Sequence, residues 1–214
     1  MKSLKNAIKI VALFLFITIL NVANVSYAYF DKNTFLDTST INVGNWEYLT
    51  TYNTGFQNFT NTNTGTLNIT IDGEPFRISN VVTATSSDDL KIGTRSVKIA
   101  QIGYLQTSNT FLGLNTVSFN IGLRRKSSTK GNRYYYVEIS NNTSTWAIIY
   151  TGQATTTFVY KEIDVAQILA NGVTLNGTTL TGNTPLYARV RVNGADTNGT
   201  RTYNIDELTI KYIS

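Results

Sequence analysis

Histidine and cysteine are both missing from the 214 residues, and proline occurs only twice. Without imidazole or thiolate, the usual zinc sites, the Ser-His-Asp and Cys-His nucleophile systems, haem ligation and disulfide frameworks are excluded. Hydrolysis would then need paired carboxylates. The thirteen acidic residues are instead scattered mainly through turns, as at Asp72, Glu74, Asp88 and Asp89, and no spacing singles out a pair. A non-enzyme is expected, with a carboxylate-dependent secreted hydrolase as the remote alternative. Charged residues make up only 14% of the chain, and no linker rich in proline or charge divides it. At 42% apolar residues, the chain suits one folded domain, and a domain of this length hides roughly 70% of its unfolded surface without needing a covalent staple.

The charge is uneven. Lys2, Lys5 and Lys9 precede the apolar run Ile10–Leu20, and Ser26-Tyr27-Ala28 supplies small residues at the subsites of a signal peptidase. The apolar core is shorter than the roughly 18 to 20 residues that span a bilayer, so a signal peptide cleaved after Ala28 is expected rather than a retained anchor. Secretion follows, with membrane contact only during export. Residues 1–28 carry three lysines and no acid, so the net charge drops from +5 to +2 on removal of the leader. The one tight basic cluster beyond it, Arg124-Arg125-Lys126 with Lys130 and Arg133, sits in turn chemistry, Ser127 to Asn132. A solvated hairpin loop accounts for it better than a nucleic-acid footprint does, and no nucleic-acid partner is expected.

Threonine, asparagine, isoleucine, valine and tyrosine dominate what remains, and these favour strands separated by turns. Val117 to Leu123 alternates with apolar residues at every odd position. In Tyr134 to Ile139, Tyr135, Val137 and Ile139 share one face, while Tyr134, Tyr136 and Glu138 share the other. Further strands are expected at 66–71, 96–102, 146–150, 156–160, 185–192 and 201–213, with Asn-Gly turns at 171, 176, 193 and 198. Helical spacing occurs once, in Lys161–Ala170, where Val165, Ile168 and Leu169 fall at i, i+3 and i+4 ahead of Asn171-Gly172. About eight strands without crossover helices imply an all-β, two-sheet antiparallel β-sandwich with at most one short helix. The domain is expected over 51–214. Residues 29–50, which hold Trp46, read as a polar N-terminal arm or an edge strand.

Two stretches carry a family likeness. Ser26-Tyr27-Ala28-Tyr29-Phe30-Asp31, followed by Ile41-Asn42-Val43-Gly44-Asn45-Trp46, resembles the N-terminus of Gram-positive exported proteins of the camelysin and biofilm-matrix type. Beyond Trp46 the sequence departs from those matrix proteins. From about Phe76 to Tyr212 the chain is similar to jelly-roll domains of the MAM-like and carbohydrate-binding-module-like kind. Lys91–Ile99, Asn115–Ile121, Leu186–Val192 and Tyr203–Ile210 carry that likeness, more by strand order than by single residues. The resemblance implies binding and adhesion. In such jelly rolls an acid at the place of Asp206 often ligates a structural calcium, which here would need Asp72, Asp88 or Asp89 and backbone oxygens as well. Otherwise Asp206 pairs with Arg201 or caps a turn. No other cofactor is expected.

Sandwich modules read sugars with flat aromatic faces, and with amide and guanidinium donors at the hydroxyls. Tyr134 and Tyr136 project away from the expected core, and Tyr187, Arg189 and Arg191 form a second row opposite Leu186, Ala188, Val190 and Val192. Either the rows line one sheet as a polar-aromatic groove or they are ordinary cross-strand decoration. Trp146 and Trp46 are expected in the core or between the sheets. The leading expectation is a secreted, non-catalytic domain that binds a carbohydrate or cell-surface polymer in adhesion or matrix attachment. A self-assembling structural protein of an extracellular matrix is the rival, since strand edges at low charge density can pair.

Overall fold

A computed structural model describes residues 49–124, 133–193 and 202–213. The expected leader, Trp46, most of the arm and the basic residues Arg125, Lys126 and Lys130 lie outside these residues, as do Arg201 and the Asn-Gly step at 198. The described part belongs to a unit that begins at Glu47. Its strands are β1 (Leu49–Thr54), β2 (Leu67–Ile71), β3 (Glu74–Ala84), β4 (Ser96–Thr107), β5 (Thr116–Leu123), β6 (Tyr134–Ser140), β7 (Ala147–Gln153), β8 (Val159–Asp164), β9 (Val173–Leu175), β10 (Thr178–Leu180), β11 (Tyr187–Asn193) and β12 (Thr202–Ile213). The single described helix, α1 (Val165–Ala170), follows β8.

All pairings of these strands are antiparallel, and the fold is the all-β sandwich that the alternation implies. The first layer runs β7-β6-β11-β4-β3-β2, and the second runs β8-β5-β12, with β1 paired to the C-terminal half of β12. Strand β4 belongs to both. Its residues 97–100 pair with β12 and its residues 102–106 with β11. The bend lies opposite a bulge in β3 at Asn80, which adopts φ +53° and donates from Nδ2 to Ile102 O at 2.9 Å. Gly103 fits there because a Cβ would meet Ile99 and the Ser79 carbonyl at 2.6 Å.

The core gathers Phe76, Ile78, Leu105, Tyr135, Val137, Ala188, Val190 and Val192 from the first layer against Val117, Phe119, Ile121, Ile163, Tyr203, Ile205, Leu208 and Ile210 from the second. A bulge at Glu207, φ +52°, resets the alternation of β12, so that Tyr203 and Ile205 before it and Leu208 and Ile210 after it all point inward.

Two local expectations change. The helical spacing starts at Val165 rather than at Lys161, because Lys161–Asp164 continue β8 beside β5, and Asp164 caps the helix through Gln167 N at 2.9 Å. In β5 the polar alternate positions are buried along with the apolar ones. Over Gly122 and the neighbouring Asn204 and Asp206 of β12, the cover is the segment between β3 and β4. Leu90 N donates to Asn204 Oδ1 at 3.1 Å, Ile92 N to Asp206 Oδ2 at 2.6 Å, and Ser96 Oγ to Leu90 O at 2.6 Å, while Leu90 lies over Gly122. The middle of the second layer's outer surface is therefore closed by the chain itself.

Candidate ligand-binding face

Period-two alternation decides what the first layer shows to solvent. Its inward residues are apolar, so its outward ones form two ladders across the strands. One row reads Arg77, Gln106, Arg189, Glu138 and Ile148 across β3, β4, β11, β6 and β7. The next reads Ser79, Tyr104, Arg191, Tyr136 and Thr151 in the same strands. Tyr187 lies opposite Ser140 at one end, and Asn193 opposite Tyr134 at the other. The structure thus brings Tyr134, Tyr136, Tyr187, Arg189 and Arg191 onto one face of two adjacent strands.

Their contacts are specific. Glu138, 2% exposed, accepts from Arg189 Nε at 2.5 Å, and its Oε1 accepts from Arg191 Nη2 at 2.7 Å and from Arg191 Nε at 3.0 Å. The Arg189 guanidinium lies 4.0 Å from the Trp146 ring centroid and 5.5 Å from that of Tyr104, and Arg191 lies 4.4 Å from that of Tyr136. Guanidinium planes stack on aromatic faces at such distances, and their flat apolar surfaces lose little hydration there. The result is a fixed sheet of alternating rings and cations. Tyr134, Ile102 and Ile148 stand exposed at its margins.

Trp146 corrects an expectation. It is half-buried on this outer side, with its ring over Arg189 and Nε1 donating to Thr143 O at 3.0 Å, and is not a core residue. Tyr104, Gln106 and Arg77 join the face without having been singled out from sequence, since the expected strand over 96–102 stopped short of the first two and none was expected over Arg77. Extending the alternation of β4 by two steps would have found Tyr104 and Gln106.

The carboxylates considered for calcium do other things. Asp72, in the β2–β3 turn, accepts from Thr54 Oγ1 and, at 3.5 Å, from Asn58 Nδ2. Asp89, buried, accepts from Ser86 N at 3.0 Å and lies 3.2 Å from Arg124 Nε, while Asp88 lies 3.5 Å from Arg124 Nη2. Asp206 holds the covering segment through Ile92 N and accepts from Glu207 N at 2.9 Å. Among the described residues, no three acidic side chains converge.

Burial pushes the Asp206 carboxyl up to about 6; the two backbone N–H groups pull the other way, and the nearby Glu207 charge adds to the rise. The folded protein therefore binds this proton more tightly than the unfolded chain does, and stability falls as pH rises from about 4 through about 6. The expected loss is on the order of 3 kcal/mol. Melting temperatures across that window, in the parent and in Asp206→Asn, check it. The variant should lack the parent's step, and parallel curves would remove Asp206 as its source.

No family model matches the chain, and no curated protein does. Among solved structures, the K1 cleaved adhesin domain of Lys-gingipain from Porphyromonas gingivalis W83 is similar over 77% of this chain and 99% of its own, at 15% identity and a TM-score of 0.48. A family 61 carbohydrate-binding module, solved in complex with β-1,4-galactotriose, is similar over 65% of this chain and 88% of its own, at 13% identity and a TM-score of 0.42. A family 35 carbohydrate-binding module from Clostridium thermocellum shares 17% identity over 63% of this chain and 90% of its own, with a TM-score of 0.38. At these values the likenesses assign neither a family nor a ligand.

Proposed function

We propose that this chain is a secreted, non-catalytic domain that attaches to a carbohydrate or another surface polymer, in adhesion or matrix attachment, through the outer face of its first layer. One observation carries the reading. Two arginines are locked by a shared carboxylate and stacked against Trp146, Tyr104 and Tyr136 on an outward sheet surface, whereas the second layer's middle is closed by the chain's own segment. Preorganised rings and donors cost little entropy when a partner arrives, which is what a binding surface needs. The chemistry available suits holding better than converting. Both oxygens of Glu138 are taken up by guanidinium donors, Asp206 is committed to backbone N–H groups, and the sequence has no imidazole or thiol. The leader-like segment supports an extracellular setting.

Affinity electrophoresis against a panel of cell-wall and extracellular polysaccharides tests the proposal. At least one polymer should retard the folded protein, and Trp146→Ala should weaken that retention about thirtyfold, the loss of about 2 kcal/mol usual for a central aromatic anchor. A folded parent retarded by none of them would sink the reading.

A further inference from the structure

The charge of this face is not balanced. Across the outward positions of β3, β4, β11, β6 and β7, three guanidiniums, Arg77, Arg189 and Arg191, stand against the single carboxylate of Glu138. Glu138 takes only Nε of Arg189, leaving both of its Nη groups without a hydrogen-bond partner among the described residues. In Arg191 it takes Nε and Nη2, leaving Nη1. The two side chains retain 15% and 24% exposure, so these unused donors border solvent. Arg77 is exposed and has no polar partner among the described residues; it lies in register with Gln106 and so with Arg189, two strands away, at about 10 Å.

Guanidinium presents paired N–H donors that match a carboxylate bidentately, and its hydrogen bonds to anions are roughly twice as strong as neutral ones. Rings beside such donors suit a partner with flat apolar faces between its charges. Resting on the binding-face reading above, we propose that the polymer is an anionic polysaccharide whose sugar-ring carboxylates are received by Arg77, Arg189 and Arg191, with the rings of Trp146, Tyr104 and Tyr136 flanking the chain. Spaced arginines then make the charge pattern of the polymer, and not its charge alone, the feature recognised.

Retention of the purified full chain on immobilised polygalacturonate, on the same polymer fully methyl-esterified, and on neutral glycans decides the matter. Binding to polygalacturonate should exceed binding to the ester at least tenfold at about 0.05 M salt and fade towards about 0.5 M, as screening shortens the reach of the charges. Arg77→Ala, which removes no polar side-chain partner among the described residues, should weaken it about fivefold, and Arg191→Lys should weaken it although the charge is kept. Equal binding to the methyl ester overturns the anionic assignment and leaves recognition of neutral polymers standing. Displacement by a single-stranded oligonucleotide as readily as by soluble polygalacturonate overturns it too, because charge alone would then suffice. So does selective retention that survives both substitutions. Absence of binding to every polymer removes this inference and the binding-face reading together.

Discussion

Gly152→Ala is expected to lower stability by about 3 kcal/mol, the upper range for overpacking a filled core, and to lower the melting temperature by about 10 °C for a domain of this size. Gly152 sits in β7 opposite Tyr135 of β6, and a Cβ placed on it runs into the Cζ and hydroxyl of that tyrosine. The ring has nowhere to go. Tyr135 is wholly buried, edge-on to Phe119 with centroids 6.0 Å apart, and Tyr150 lies at 6.0 Å on another side. Backbone must move instead, and β7 is the strand that follows Trp146 and carries Ile148 and Thr151 onto the candidate face. Gly182→Ala, where a Cβ meets nothing within 4 Å, should change stability by less than about 0.5 kcal/mol. Pairing Gly152→Ala with Tyr135→Leu should give less destabilisation than the sum of the two, because both act on one space. Thermal melts of the four variants check this, and a Gly152→Ala protein as stable as Gly182→Ala would show that the β6–β7 packing is looser than described.

How far the sequence reveals this arrangement depends on whether the alternation runs unbroken. β5, β6 and β11 keep period two without a slip over the residues that matter, so Val117–Leu123 and the two rows with Tyr134, Tyr136, Tyr187, Arg189 and Arg191 are readable directly. β3 is not. Pro75 disguises its start, and the bulge at Asn80 shifts its inward positions from Phe76 and Ile78 to Val81, so that no single parity fits Glu74–Ala84. The signal that could have found it is Asp72-Gly73, a two-residue turn with positive φ at both residues that joins β2 to β3 in a hairpin. With β3 unseen, Arg77 had no face to belong to. Burial of Gly122, Asn204 and Asp206 is hidden for a different reason. Their cover, around Leu90 and Ile92, comes from an irregular segment whose path depends on hydrogen bonds to β12, residues distant in sequence. Trp146 misleads because residue type alone favours the core; only the guanidinium beneath it, supplied by β11, makes an outward position favourable.

Glu138 links the stability of this face to its use, and its removal separates the two. Glu138→Leu is expected to destabilise by about 3 kcal/mol, because it leaves Arg189 and Arg191 side by side, mostly buried and without their counter-charge. The lower end of the range for a broken buried pair applies, since both guanidiniums keep some solvent and their aromatic contacts. Ion bridges of this kind are seldom the most stable way to fill their space. A triple variant, Glu138→Leu with Arg189→Met and Arg191→Met, should therefore regain the parent's stability or exceed it, as apolar replacements of similar volume often do. It should bind no polymer at all. Urea unfolding of the parent, the single and the triple variant, alongside retention on the polymer that the parent binds, distinguishes the possibilities. A stable triple variant without retention means that the bridge exists to hold two arginines at the surface in a fixed pose, at some expense to the fold. A triple variant as unstable as Glu138→Leu would show instead that the bridge is needed to join β6 to β11, and a stable one that still binds would move the contact surface off this sheet.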